Sequence, residues 1–138
     1  MSTENNKALS RRYYEEVWNG GNTALLDELM AENHVNHAPP TPVLGREAFK
    51  QYVAAYRAAF PDFHLTIEDQ LAEGDKVVDR WVARGTHQGS LMGIPPTGKQ
   101  ATVTGMSIGR FANGKLEETW ADFDLLGLMQ QIGVVPTM

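Results

Sequence analysis

Two carboxylates at the end of the last predicted strand are the side chains best suited to acid–base chemistry. Asp122 and Asp124 are two residues apart, and strict alternation would put both on one face together with Leu116, Glu118 and Trp120. A carboxylate enclosed in an apolar pocket can remove a proton next to a carbonyl and later return it, because burial raises its pKa. Periodicity does not separate the two aspartates. Asp124 also stands directly before a predicted helix, where aspartate is a preferred N-terminal cap, so the local sequence alone favours capping.

An imidazole near the end of a long predicted strand is a second chemical candidate. His87 lies between Gly85 and Gly89. A neutral imidazole at such a place can donate a hydrogen bond to a carbonyl oxygen as negative charge develops on it. A histidine with no function, placed there by the turn, is the alternative.

A short extended segment carries two further histidines and an amide. Adjacent extended residues point to opposite faces, so only one of Asn36 and His37 is expected to enter a pocket. The spacing of three between His34 and His37 does not put two imidazoles on one side of an extended chain, and no His-Glu-x-x-His pattern is present. No metal site is therefore predicted.

The first half of the chain has the apolar spacing of helices. One helix is predicted from about Glu4 to Trp18, before Gly20 and Gly21 end it. A shorter helix follows a cap at Asn22 or Thr23, and a third helix ends at Pro61. Their apolar stripes consist of Leu9, Tyr13 and Val17; of Leu25, Leu26, Leu29 and Met30; and of Phe49, Tyr52, Val53, Tyr56 and Phe60.

Beyond Pro61 the apolar period changes from helical to two, which predicts strands. Phe63, Leu65 and Ile67 begin the first of them, and three more are predicted over 76–87, 100–112 and 115–124. Asn113-Gly114 is a strong hairpin signal between the last two. A glycine- and proline-rich loop is predicted over 89–98, and a closing helix over 125–132. The order predicts an α+β fold in which helices cover one face of a curved, mainly antiparallel sheet, and the concavity is a natural small-molecule site.

Composition narrows the classes of function. The chain has 138 residues and a net charge of −5, with no basic run longer than Arg11-Arg12. One domain over 1–138 is predicted, and nucleic acid is not an expected partner. The absence of cysteine excludes disulfides and thiol chemistry. Because no secretory signal and no apolar stretch of about 20 residues is present, a cytoplasmic protein without membrane contact is expected.

The chain resembles the SnoaL-like polyketide cyclases in an ordered set of short blocks that spans almost its whole length. The resemblance implies the cone-shaped fold of nuclear transport factor 2, an enclosed apolar pocket, and ring closure by intramolecular aldol condensation without metal or cofactor. It also implies a homo-oligomer, either a dimer or a tetramer. The blocks are Tyr13-Tyr14-Glu15-Glu16-Val17-Trp18-Asn19, His34-Val35-Asn36-His37, Gly45-Arg46-Glu47-Ala48-Phe49, Ala59-Phe60-Pro61-Asp62, Arg80-Trp81, Gly85-Thr86-His87-Gln88-Gly89, Gly93-Ile94-Pro95-Pro96-Thr97-Gly98-Lys99, Trp120-Ala121-Asp122-Phe123-Asp124 and Gln130-Gln131-Ile132-Gly133.

The resemblance also implies roles for individual residues. Asp124 matches the family's catalytic aspartate, His87 its active-site histidine, and His37 the histidine that follows the first two helices. His37 is therefore preferred to Asn36 as the residue in the pocket. Further candidates for contact with a small apolar, carbonyl-containing ligand are Trp18, Trp81, Met92, Trp120 and Asp122. Two alternatives to aldol closure stay open: proton transfer of the ketosteroid isomerase kind, and a pocket that binds without catalysis.

Overall fold

Helices form the first layer of the computed structural model, which describes residues 2–136. Ser2 is the N-terminal cap of helix α1 (Thr3–Arg12), and its side chain accepts a hydrogen bond from the Asn5 N–H. The helix continues as a π-helix over Tyr13–Asn19 and ends at Gly20. The predicted extent of this helix is confirmed, but its second half has the wider π turn.

The remaining helices are close to their predicted positions. A short 3-10 turn (Thr23–Leu25) leads into α2 (Leu26–Leu29). Helix α3 covers Arg46–Ala59 and α4 covers Leu125–Gln131. Glycine follows at 133 with φ of 88°, which is the conformation that ends a helix.

Six strands form one sheet in the order β2-β1-β6-β5-β4-β3. Strands β3 to β6 are an antiparallel meander, β2 is antiparallel to β1, and β1 runs parallel to β6. Asn113 and Gly114 form the β5–β6 hairpin with φ of 54° and 76°, as a type I′ turn requires. The mainly antiparallel α+β prediction is confirmed. The strands are β1 (Met30–His37), β2 (Val43–Leu44), β3 (His64–Glu73), β4 (Lys76–Thr86), β5 (Gln100–Ala112) and β6 (Lys115–Phe123).

A bulge in β6 reverses the facing of its second half. Phe111 pairs with Leu116 and Arg110 with Glu118, so Glu117 is an extra residue. Before the bulge Leu116 faces the core, and after it Thr119 does. The prediction that Leu116, Glu118, Trp120, Asp122 and Asp124 share one face is therefore wrong, because the slip of one residue moves the later side chains to the opposite face.

The helices pack on the inner, concave face of the sheet. One buried cluster joins the π-helix and α3 to β3, β4 and the start of β6, with Val17, Phe49 and Val77 among its members. A second cluster joins α4 to β5 and includes Val103 and Leu128. No helix within residues 2–136 combines the length and the apolar character needed to cross a membrane.

Candidate functional site

A cavity of about 100 Å³ lies between the helices and the inner face of the sheet. Trp18 is in edge contact with the rings of Tyr52 and Tyr56, at centroid distances of 6.0 and 6.4 Å. Trp18 and Trp81 both line the cavity, so a ligand bound there would contact them. Since small-molecule pockets typically measure about 300–1,000 Å³, a ligand of several rings requires some lining side chains to move apart.

Four tyrosines are among the residues that line this largely apolar surface. Burial raises the pKa of Tyr13, Tyr14, Tyr52 and Tyr56, so their hydroxyls stay protonated and can donate hydrogen bonds. The Trp18 Nε1–H donates to the Tyr13 oxygen at 3.0 Å. The cavity therefore suits a flat, largely apolar molecule with a few oxygen atoms.

Asp124 is the N-terminal cap of α4. Its Oδ1 accepts a hydrogen bond from the Gly127 N–H at 2.8 Å. The side chain is exposed, and Asp124 does not line the cavity, whereas Phe123 before it and Leu128 after it do. The prediction that the carboxylate is enclosed in the pocket is wrong for this structure, because the chain turns into α4 at this residue. The catalytic role of Asp124 stays a prediction.

His87 is fully buried beside the cavity, and its ring centroid is 5.6 Å from that of Phe60, which lines the cavity. The Thr97 N–H donates to its Nδ1 at 3.3 Å and the Thr97 hydroxyl lies 3.0 Å from the same nitrogen, which favours the tautomer with the proton on Nε2. That nitrogen has no hydrogen-bond partner among the described residues. The imidazole does not line the cavity, and its role as a hydrogen-bond donor stays a prediction.

Asn36 and His37 point to opposite faces of the sheet, as predicted, but the preference for His37 in the pocket is wrong. Asn36 is buried and lines the cavity. His37 lies on the outer face, where its Nε2 is 2.6 Å from Glu118 and its ring stacks on Trp120 at 5.5 Å. That hydrogen bond lowers the pKa of Glu118. Which of two adjacent residues faces inward depends on strand register, and the sequence contains no signal for it.

Three other predicted ligand contacts lie outside the cavity. Trp120 is 37% exposed and lies on the outer face with Asp122, because of the bulge in β6. Met92 is 50% exposed, in a tight turn closed by the Leu91–Ile94 bridge with φ of 48°. These three residues do not line the cavity, and their contact with a ligand stays a prediction.

Sequence reasoning missed two buried polar side chains at the cavity and one beside it. Ser107 and Thr119 both line the cavity, and neither belongs to a motif. Asp79 is buried on β4, where it accepts a hydrogen bond from Ser10 at 2.5 Å, and burial raises its pKa. Alternation along β4 was the available signal for Asp79. Among residues 2–136 no three His, Asp or Glu side chains are grouped as a metal site.

Comparisons with known proteins identify the family and the fold. The sequence profile of the SnoaL-like polyketide cyclases matches residues 8–132. The chain is 31% identical over 122 residues to the nogalonic acid methyl ester cyclase of Streptomyces nogalater, covering 85% of this chain and 90% of that protein. It is 29% identical over 126 residues to an aklanonic acid methyl ester cyclase of Streptomyces sp. strain C5, covering 86% and 76%. A Jannaschia sp. CCS1 structure assigned to the SnoaL-like polyketide cyclases superposes with a TM-score of 0.89 at 26% identity, covering 97% of this chain and 95% of that one.

Proposed function

Because the chain belongs to the SnoaL-like polyketide cyclase family, we propose that it is a cofactor-independent enzyme that closes a ring by intramolecular aldol condensation. The proposed substrate is a flat, largely apolar polyketide with at least two carbonyl groups, carried as a methyl ester like the compounds for which its relatives are named. The observation that supports this best is the aromatic cavity. Two of the residues that line it, Phe123 and Leu128, lie on either side of Asp124 in the sequence.

The proposed reaction uses one carboxylate as base and then as acid. Asp124 removes a proton from the carbon next to a carbonyl group, and an enolate forms. The enolate carbon attacks the second carbonyl carbon, so a C–C bond forms while the C=O π electrons become an alkoxide. The Asp124 carboxyl then returns its proton to that alkoxide. The product is an isomer of the substrate, and no electron acceptor is needed.

The capping geometry is compatible with this role in the resting enzyme. The hydrogen bond from Gly127 stabilises the charged carboxylate, which is the form that accepts a proton. Only Oδ1 takes part in it. The proposed mechanism requires the Asp124 side chain to rotate towards the cavity, past Phe123, so that the carboxylate reaches an enclosed ligand.

His87 is the proposed donor to the developing oxyanion. Its Nε2–H has no partner among the described residues, and an unpaired buried donor is a ready partner for new negative charge. Because Phe60 contacts the imidazole and lines the cavity, a small movement of the Phe60 ring on ligand binding would open the way to that proton.

The test is the variant Asp124→Asn, assayed with nogalonic acid methyl ester and aklanonic acid methyl ester. Asparagine is as good an N-cap as aspartate, so α4 is retained while the base is lost. We expect kcat to fall by about 10²- to 10⁴-fold. Asp122→Asn, on the outer face two residues away, is the control and should keep the activity of the parent.

Two results would count against the proposal. Turnover that survives in Asp124→Asn would remove the carboxylate from the mechanism. Binding of both esters by the parent with no conversion of either would favour the alternative of a non-catalytic binding protein, which the capping bond of Asp124 also permits.

We further propose that the outer face of the sheet is the interface of a homodimer. An apolar row crosses this face, since Leu71 pairs with Val78, Val78 with Ile108, and Ile108 with Trp120. A row of mostly charged residues lies on each side of it. The two rows are Asp69-Arg80-Met106-Asp122 and Glu73-Lys76-Arg110-Glu118. Exposed apolar surface with a charged rim is typical of interfaces between protein chains.

A further inference from the structure

A pair of buried polar side chains lies where β1 and β6 meet, inside the cavity wall. Asn36 and Thr119 are direct partners across these parallel strands, and both line the cavity. His34, two residues before Asn36, is fully buried, and its Nε2 lies 2.9 Å from the Thr119 Oγ1. The carboxylate chemistry proposed for Asp124 uses none of these three residues.

The electrostatics of this group keep it neutral. Burial lowers the pKa of His34 to about 4, so the imidazole carries one proton at neutral pH. Its Nδ1 is buried and has no partner among the described residues. The hydrogen bond of the His34 ring is therefore the one between its Nε2 and the Thr119 hydroxyl. When Nε2–H donates to Oγ1, the hydroxyl proton of Thr119 is free to point into the cavity. The Asn36 amide beside it offers both a donor and an acceptor.

We propose that Thr119 and Asn36 form a hydrogen-bonding subsite for a hydroxyl or carbonyl oxygen of the ligand, with His34 as the positioning residue that orients the Thr119 hydroxyl. A buried hydroxyl and amide that meet only an apolar ligand stay unpaired, which is unfavourable, so the subsite selects ligands that carry an oxygen at this point.

The place of the subsite specifies a substrate class, and this step rests on the proposed function. Thr119 and Asp124 are five residues apart along β6 and its end, which corresponds to roughly 16 Å between their Cα atoms. After room is left for the two side chains, the recognised oxygen lies on the order of 10 Å from the reacting carbon. The substrate is therefore elongated, with an oxygen on the ring that is farthest from the closing one.

The test compares two planar probes that differ only by one hydroxyl group and contain no other oxygen, 2-naphthol and naphthalene, with equilibrium dialysis of the parent protein. One additional neutral hydrogen bond corresponds to about 3- to 10-fold tighter binding of the hydroxylated probe. Thr119→Val should abolish this preference and leave the affinity for naphthalene within about twofold. Thr119→Ser, which keeps the hydroxyl, should restore the preference and control for the loss of the His34 hydrogen bond.

His34→Gln provides the readout for positioning. We expect it to reduce the preference for 2-naphthol without changing the affinity for naphthalene, whereas a purely structural role of His34 would change the affinity for both probes. Equal binding of both probes by the parent, or a preference that persists in Thr119→Val, would overturn the proposal. Asp124→Asn should keep the preference of the parent, so failure of the subsite and failure of the catalytic proposal are separate results.

Discussion

The Asp124 carboxylate and the Gly127 backbone are fitted to each other at the start of α4. The Gly127 N–H donates to Oδ1 at 2.8 Å. A Cβ atom at residue 127 would collide with the carboxylate. Glycine is otherwise a poor residue within a helix, so its presence here has a local reason: it leaves the space in which the Asp124 side chain is held.

Gly127→Ala should displace the Asp124 carboxylate. Alanine normally stabilises a helix by about 1 kcal/mol relative to glycine, but here loss of the cap, which costs about 1 kcal/mol, and the collision should outweigh that gain. Urea unfolding should therefore show a lower free energy of unfolding than in the parent. Leu126→Ala, at an exposed position of the same helix, is the control for helix propensity. A higher free energy of unfolding for Gly127→Ala than for the parent would contradict the close packing of Gly127 against the Asp124 carboxylate.

His34 should make the protein less stable in mild acid. The unfolded chain takes up a proton at this residue below about pH 6.5, while the folded chain resists it until about pH 4, because burial lowers the His34 pKa. The free energy of unfolding should thus fall between these two pH values, by up to about 3 kcal/mol. Urea titrations at several pH values should show a flatter dependence in His34→Gln, and parallel dependences would contradict the assignment.

Asp79→Asn should stabilise the protein at neutral pH. Burial raises the pKa of Asp79, so ionising it within the fold is unfavourable. The Asp79 Oδ1 and the Gln70 Oε1 are both buried acceptors without partners, and an introduced amide N–H can donate to Gln70. We expect a gain of about 1 kcal/mol at pH 7 that disappears below about pH 4, where the parent carboxyl is protonated. Glu68→Gln, at an exposed position of β3, is the control for the loss of one negative charge.

Trp120→Glu should convert the proposed dimer to a monomer, because it places a charge at the β6 end of the apolar row on the outer face. Sedimentation velocity over a range of concentrations gives the oligomeric state. Leu44→Glu, which changes an exposed apolar residue on β2 outside that row, should leave the oligomeric state of the parent unchanged. A parent that sediments as a monomer at all concentrations would refute the interface.

The local order of the fold was predictable from the sequence because it depends on interactions between near neighbours. The apolar period of 3.6 predicted the helices that end near Gly20 and Pro61, and the period of two predicted the four strands of the meander. Asn113-Gly114 predicted the hairpin, since both residues tolerate positive φ. The ordered blocks of the sequence predicted the family.

The faces on which side chains lie were decided by the tertiary structure. The bulge at Glu117 is a property of the pairing between β5 and β6, and it moved Trp120 and Asp122 to the outer face while it brought Thr119 to the cavity. The register of β1 on β6 likewise placed Asn36 inside and His37 outside. A one-residue slip reverses every side chain of a strand and leaves the sequence pattern unchanged. For this reason the sequence determined which elements form, and only the tertiary structure decided which of their residues line the cavity.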